Sequence, residues 1–237
     1  MRLAVHEWGD VSDVPLVFWH ALGPDPSGAD LAAAAPVLAG AGFRVLAVDG
    51  PGFGRSRLLP AEGYRLAALV AALRDLVDER ELDRPVLMGH SWGGAVAVRY
   101  SGAHPDDVRA LVLLDGGHID YGSLSGVSRD RRADEWVEEA RARDSRRAEA
   151  RGRAMSGLTE PVSPAWPVLT AHEVPTLLLL ATKPPHVEQN RAHIGRFEAA
   201  VPHADVRWVE GAGHGLLDDA GPPLHDEIAT WLVEQAL

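Results

Sequence analysis

Residues 89–93 read Gly-His-Ser-Trp-Gly and stand where a short apolar run, Pro-Val-Leu-Met at residues 85–88, gives way to a helical pattern over residues 92–103. An apolar run of this length is typical of a buried strand. A serine between two glycines at such a junction matches the pattern G-x-S-x-G, in which a strand turns sharply into a helix. The turn is so tight that a Cβ at either flanking glycine, Gly89 or Gly93, would collide with neighbouring backbone. The stretch therefore predicts that Ser91 is presented at the positive end of the helix that follows.

Apolar runs of strand length alternate with helical patterns on both sides of this stretch. Strands are predicted at residues 16–19, 43–48, 85–88, 108–114, 176–181 and 206–209, and helices at 31–39, 65–79, 92–103 and near the C-terminus. Such alternation is typical of a parallel sheet covered by helices on both faces. The predicted fold class is α/β, with a mostly parallel central sheet.

Residues 116–173 interrupt the alternation with glycine- and serine-containing loops, a charged helix and a proline-rich stretch. We interpret them as an insertion into one domain whose core is formed by residues 1–115 and 174–237. The insertion is either a solvated helix with ion pairs or a helical lid that turns Trp136 and Trp166 toward a substrate.

The composition of the chain excludes some kinds of chemistry and disfavours some kinds of partner. The chain of 237 residues is long enough for one sizeable core, and it contains no cysteine, which excludes disulfides, thiolate catalysis and cysteine-ligated metals. A net charge of −11 disfavours nucleic acid and anionic membranes as partners. With no apolar run long enough for a signal peptide or a membrane span, the expected location is the cytoplasm.

A serine hydroxyl becomes a good nucleophile only when a base removes its proton, so a histidine must lie nearby in space. Eleven histidines compete for that role. His214 is the predicted base because it lies in a glycine-rich stretch, residues 211–215, just after the last predicted strand. A loop at that place can bring the imidazole over the edge of the sheet.

Three segments together resemble the α/β-hydrolase superfamily: residues 89–93, the segment Asp-Gly-Pro-Gly-Phe-Gly-Arg-Ser at residues 49–56, and the late His214. The resemblance covers nearly the whole chain and implies a serine hydrolase on that fold. In the family, the segment matching residues 49–56 is a structural turn, so Asp49 is given no catalytic role.

The resemblance also implies an oxyanion hole. Its loop usually begins His-Gly in the family and reads His-Ala-Leu-Gly at residues 20–23, with alanine in place of the glycine. The backbone N–H groups of Leu22 and Trp92 would then stabilise the negative oxygen of the intermediate. His20 would lie beside the substrate.

The acid that orients His214 is the least defined member of the site. Family members commonly carry it after the penultimate strand, where residues 182–188 offer only Glu188. A variant of the family places it one strand earlier, and there Asp115 ends the apolar run. We predict Asp115, which gives the family's chain order of nucleophile, acid and base. Glu188 and Asp120 are the alternatives, in which case Asp115 only caps a strand.

No cofactor or metal is predicted. His118 and Asp120 offer two ligands with no third neighbour in the sequence, which is a weak metal signal. The glycines of residues 50–54 lack the lysine of a phosphate loop, and no dinucleotide fingerprint is present.

The predicted reaction is hydrolysis of a small carboxylic ester or lactone through a Ser-His-Asp triad and an acyl-enzyme. The alternatives with the same triad are carbon–carbon bond hydrolysis of a diketone and cofactor-free perhydrolysis. A catalytically silent small-molecule-binding protein is the alternative from another class. Serine at position 91 argues against haloalkane dehalogenases and epoxide hydrolases, which use aspartate there. The expected partner is a small-molecule substrate, and the expected state is a monomer or homodimer.

Overall fold

One seven-stranded sheet organises the chain. A computed structural model describes residues 2–23, 27–120, 145–158 and 165–236. The strands lie in the order β1-β3-β2-β4-β5-β6-β7, and β1 is antiparallel to β3 while all other neighbours are parallel. Their bounds are β1 Ala4–Trp8, β2 Val14–Trp19, β3 Phe43–Asp49, β4 Val86–His90, β5 Leu111–Leu114, β6 Thr176–Ala181 and β7 Asp205–Val209. The predicted fold class, α/β with a mostly parallel sheet, is confirmed.

Helices cover both faces of the sheet. Among the described residues they are α1 Ala35–Gly40, α2 Leu66–Glu79, α3 Trp92–Ala103, α4 Ser145–Leu158, α5 Trp166–Ala171, α6 His186–Ala200, α7 Leu216–Ala220 and α8 Pro222–Ala236. Single 3-10 turns occur at Gly28–Leu31, Ala61–Tyr64 and Pro105–Asp107. Helix α6 lies in a part of the sequence where no helix was predicted. None of the helices in the described part of the chain combines the length and apolarity needed to cross a membrane.

The strands are buried on both faces, which explains their nearly continuous apolar sequences. In β5, Leu111 and Leu113 pack into one apolar cluster with α2, α3 and α5. Val112 and Leu114, which alternate with them, pack into a second cluster with α1, α7 and α8. Two apolar layers therefore hold the sheet as the rigid centre of the molecule.

The parallel strands all end at one edge of the sheet. The loops that follow β2, β4, β5 and β7 hold residues 20–23, Ser91, Asp115 and His214. The strand order also reverses between β2 and β4, and such a switch point is where open α/β sheets bind ligands. The fold thus brings residues that are far apart in sequence to one place.

Candidate active site

Ser91 occupies the turn between β4 and α3 in a left-handed backbone conformation, with φ of 52° and ψ of −110°. Non-glycine residues rarely adopt a positive φ, and such strain concentrates at functional positions. Although Ser91 stands at the N-cap position of α3, its side chain makes no capping hydrogen bond. The hydroxyl is therefore not used to begin the helix.

Glycines make this turn possible. A Cβ built on Gly89 would lie 2.3 Å from the carbonyl oxygen of Gly93, and one on Gly93 would lie 1.9 Å from the carbonyl oxygen of Trp19. A Cβ on Gly116, in the loop after β5, would lie 2.4 Å from the carbonyl oxygen of Ser91. Backbone atoms cannot yield to such contacts, so the loops after β4 and β5 pack directly against each other.

His214 and Asp115 are in direct hydrogen-bond contact. The Nδ1 of His214 lies 2.6 Å from Oδ2 of Asp115. Asp115 is itself buried and lies on a strained backbone with φ of 45°. The structure therefore brings together the predicted acid and the predicted base from the loops after β5 and β7.

The environment of Asp115 favours its ionised form. Burial alone would raise the pKa of this carboxyl, but the hydrogen bond and charge of His214, with donors from Ala181 and Asn190, lower the pKa to about 2. The backbone N–H of Ala181 and the amide of Asn190 both donate to Oδ1, at 3.0 and 2.6 Å. Because the carboxylate is ionised, the proton it shares with His214 lies on Nδ1.

Two other histidines flank the ring of His214. Nε2 of His90 donates to the carbonyl oxygen of His214 at 2.6 Å, which ties the loop after β7 to the residue before Ser91. His186, the first residue of α6, stacks on His214 with ring centres 4.3 Å apart and an angle of 7° between the planes. Burial, followed by the charge of His214, lowers the pKa of His90 to about 3, so His90 is neutral at pH 7.

Asp115, His186 and His214 are the three residues of the described chain that lie close enough to share a metal ion. Their donor set, two imidazoles and one carboxylate, suits zinc. The two rings are stacked, however, so their in-plane lone pairs lie in two nearly parallel planes and do not converge on one point. The ring geometry thus favours imidazole stacking over metal coordination.

His20 fixes the loop after β2, which carries the predicted oxyanion donor Leu22. The ring of His20 is fully buried; its Nδ1 donates to the carbonyl oxygen of Ala21 at 2.6 Å, and the N–H of Gly50 donates to its Nε2 at 2.9 Å. Burial lowers the pKa of His20 to about 4. Both ring nitrogens are engaged within the chain, so the predicted contact of His20 with a substrate has no free nitrogen to make it.

The predicted lid residues have different positions. Trp166 is buried in the first apolar cluster, where its indole N–H donates to the carbonyl oxygen of Gly117 at 2.9 Å. It also packs edge-on against Phe197. Trp166 is thus a core residue that anchors the loop after Asp115. Trp136 lies outside the described residues.

Helix α4, within the predicted insertion, touches the carboxyl edge of the sheet. Arg151 is buried and donates to the carbonyl oxygen of Leu22 at 2.9 Å. Arg146 and Arg153 donate to the carbonyl oxygens of Ser56 and Leu59. Three arginines of one helix therefore bind the loops that follow β2 and β3.

The other acidic residues considered from the sequence have different surroundings. Glu188 is exposed in the first turn of α6, and Asp120 pairs with Arg196 at 3.1 Å. Asp49 is fully buried, with its carboxylate accepting from the N–H groups of Gly28 and Arg55. These contacts agree with a structural role for Asp49.

Asn190 and His118 are polar residues next to Asp115 that were not predicted as site residues from the sequence. Asn190, on α6, contacts Asp115, and His118 contacts Asn190, with 3.1 Å between His118 Nε2 and Asn190 Oδ1. Both side chains are buried. The only sequence signal was the pair His118 and Asp120, which was considered as a metal motif.

Comparison with known proteins places this geometry among hydrolases. The family model described as alpha/beta hydrolase fold matches residues 14–149, more than half of the chain. The chain is 38% identical over 103 residues to 2-hydroxy-6-oxononadienedioate/2-hydroxy-6-oxononatrienedioate hydrolase 1 of Pseudomonas putida, a match covering 43% of this chain and 36% of that protein. It is 37% identical over 78 residues to epoxide hydrolase B of Mycobacterium tuberculosis, covering 32% of this chain and 22% of that protein. The matches span less than half the length of these curated relatives.

Solved structures resemble the chain over almost its full length. A carboxylesterase structure from Nitrososphaera gargenis superposes with a TM-score of 0.82 at 18% identity and covers 99% of this chain and 96% of that chain. A bromoperoxidase from Bacillus anthracis gives a TM-score of 0.77 at 20% identity and covers 97% of this chain and 95% of that chain. At these identities the likeness concerns the fold.

Proposed function

This chain belongs to the α/β-hydrolase family, and from that premise we propose that it hydrolyses a small carboxylic ester or lactone through an acyl-enzyme on Ser91. The observation that carries the proposal is the 2.6 Å contact between His214 and Asp115, beside the strained turn that holds Ser91. The serine side chain is not used as a helix cap, and the histidine ring is fixed by a buried carboxylate.

The ionised Asp115 keeps the proton of His214 on Nδ1, which leaves Nε2 as a base. Nε2 accepts the proton of Ser91 while Oγ bonds to the substrate carbonyl carbon. The bond from that carbon to the leaving oxygen then breaks, and His214 gives its proton to the departing alcohol. Water attacks the acyl-enzyme by the same proton transfers and releases the acid with Ser91 restored.

The oxyanion formed in each step is held by the N–H groups of Leu22 and Trp92. Trp92 is the first residue of α3, where N–H groups have no partner within the helix. His20 supports this role indirectly, since it fixes the Ala21 carbonyl and the Gly50 amide. We therefore assign His20 to positioning of the loop.

Residues 116–173 act in this proposal as a lid over a core formed by residues 1–115 and 174–237. Support comes from Arg151, whose bond to the Leu22 carbonyl joins α4 to the loop that carries the oxyanion donor. Trp166 belongs to the base of the insertion, where it packs in the core.

Carbon–carbon bond hydrolysis is the second candidate, and the relative from Pseudomonas putida favours it. Its name, a hydrolase of 2-hydroxy-6-oxononadienedioate, describes a substrate without an ester or amide bond. Hydrolysis of such a compound breaks a carbon–carbon bond next to its ketone. The same serine, histidine and oxyanion donors would serve that cleavage.

Replacing Ser91 with alanine tests the proposal. Turnover of a panel of p-nitrophenyl esters, small lactones and a 2-hydroxy-6-oxo dienoic acid should fall by about 10⁴-fold or more on every compound that wild type accepts. Ser101→Ala is the matched control, because this buried serine donates only to the Ala97 carbonyl one turn earlier in α3. Its turnover should equal that of wild type.

A fluorophosphonate, which reacts with activated serines, distinguishes an enzyme from a binding protein on the same fold. Mass spectrometry should find the adduct on Ser91 in wild type and in Ser101→Ala. Undiminished turnover in Ser91→Ala, or an unlabelled Ser91 in the folded wild type, would refute the proposal.

A further inference from the structure

A buried polar chain continues from Asp115 away from His214. Asn190 Nδ2 lies 2.6 Å from Asp115 Oδ1 and 3.2 Å from the carbonyl oxygen of Ala181, and His118 Nε2 lies 3.1 Å from Asn190 Oδ1. We propose that Asn190 is a positioning residue that holds the Asp115 carboxylate in the plane needed by His214. This inference rests on the proposed function, because it concerns the same triad.

The two oxygens of Asp115 have separate tasks. Oδ2 receives the proton of His214, while Oδ1 accepts from the Ala181 N–H and from Asn190. Rotation about the bond to the carboxyl group would break both contacts on Oδ1. Hydrogen bonds to an ionised acceptor are the stronger kind, so the pair of donors fixes the direction of Oδ2.

The amide of Asn190 has only one favourable orientation. Its NH₂ group faces two acceptors, the Asp115 carboxylate and the Ala181 carbonyl. A flipped amide would place its oxygen against both. The oxygen therefore faces His118, and burial keeps the pKa of His118 low, so that ring is neutral and donates from Nε2.

The strained backbone at Asp115 explains why this residue needs the hydrogen bond from Asn190. Asp115 adopts a φ of 45°, a conformation that costs energy in a non-glycine residue and persists only when its surroundings hold it. Helix α6 supplies the support, because Asn190 on its second turn contacts both Asp115 and the Ala181 carbonyl at the end of β6. Acid and helix are thus joined across the end of one strand.

Asn190→Leu removes the donor and keeps the same branched side-chain skeleton of heavy atoms. Its kcat should fall by about 10- to 100-fold with little change in KM, because a tilted carboxylate misplaces the base without altering substrate contacts. The rate of Ser91 labelling by a fluorophosphonate should fall by a similar factor. Circular dichroism and thermal unfolding confirm that the variant is folded.

Asn190→Asp gives a signature that a purely structural role would not produce. The new carboxyl would face two acceptors, so it must be protonated to replace the amide donor. The groups around it that carry or can carry charge are Asp115, His118 and His214, with His186 and His193 on its own helix. When rising pH ionises it, a second carboxylate faces Asp115 where the wild type has a 2.6 Å hydrogen bond, and the two negative charges repel. Its kcat should therefore approach wild type at low pH and fall as the pH rises, while wild type shows no such fall.

Thr176→Val is the matched control. Thr176 is buried at the opposite end of β6, and its hydroxyl donates to the Val174 carbonyl. This variant loses one buried hydrogen bond in the same strand, yet its kcat, labelling rate and pH profile should match wild type. If kcat of Thr176→Val fell as much as kcat of Asn190→Leu, the inference would be overturned. The effect would then come from lower stability of the fold and not from the position of Asp115.

The outcomes separate the two proposals. An unlabelled Ser91 in wild type contradicts the proposed function. Labelled wild type together with unchanged kcat and labelling in Asn190→Leu overturns the role of Asn190 alone. A pH profile of Asn190→Asp that follows wild type across the pH range also overturns the role of Asn190. If Asn190→Leu does not fold, the pH profile of Asn190→Asp alone tests that role.

Discussion

At the scale of single residues, Asp115 is a buried charge whose neighbours leave it little freedom. It accepts hydrogen bonds from His214, Ala181 and Asn190, and these keep its pKa near 2 despite burial. A buried carboxylate with one base as partner is the arrangement that a proton-transfer site needs. Glu188, one of the two other acids considered from the sequence, is exposed on α6.

Asp115→Asn should lower kcat by about 10³- to 10⁴-fold, because the amide no longer holds the Nδ1 tautomer of His214. Glu188→Gln should stay within about twofold of wild type. Both are measured as steady-state kinetics on the best ester found in the panel. Loss of activity in Glu188→Gln with retention in Asp115→Asn would assign the acid to Glu188.

The sequence could predict residues that follow strands and carry reactive groups. Ser91, Asp115 and His214 each follow a predicted strand, so their placement at one edge follows from a parallel sheet. Asn190 and His186 could not be found in this way, because an amide or a lone histidine in a polar stretch has no distinctive pattern. Trp166 was expected at the substrate, but its indole N–H found a partner inside the core.

At the scale of elements, the apolar patterns predicted most strands and helices. Helix α6 was missed because its buried residues are few; Val187, Asn190 and Phe197 are buried, and one of the three is polar. Such a helix lacks the apolar stripe that reveals helices in a sequence. The strand predicted at residues 108–114 is shorter in the structure, Leu111–Leu114, since pairing with β6 begins only at Leu111.

Two glycines in helices should respond in opposite ways to alanine. Gly93→Ala places a Cβ 1.9 Å from the Trp19 carbonyl oxygen and should lower the free energy of unfolding by about 3 kcal/mol or more. Gly195→Ala, in the exposed part of α6 with nothing within 4 Å of the new atom, should raise it by about 0.5 to 1 kcal/mol. Urea denaturation measures both. Equal stability of the two variants would contradict the packing described at the turn.

At the scale of the whole molecule, the fold holds several histidines neutral in its interior. Burial lowers the pKa values of His20, His90 and His118. Unfolding frees each ring to take up a proton at its ordinary pKa. Below pH 6.5 the unfolded chain therefore binds more protons than the folded one, so stability falls as the pH falls.

For His20 the folded pKa of about 4, against 6.5 when unfolded, corresponds to about 3 kcal/mol of unfolding free energy lost between pH 7 and pH 4. Asp115 acts in a separate window, because its lowered pKa adds stability above pH 4 that is lost as the pH falls toward 2. Urea denaturation from pH 7 to pH 4 should show a shallower decline in His20→Gln than in wild type. Parallel declines in the two proteins would show that His20 is not neutral in the fold.

Gly116 has a mechanical consequence. Because it carries no side chain, the loop after β5 lies against the backbone of Ser91 with no room for adjustment. The separation between the proposed nucleophile, Ser91, and the proposed acid, Asp115, is therefore set by two backbone segments in direct contact. Substitutions in the surrounding loops can thus change the shape of the site while Ser91 and Asp115 keep their separation.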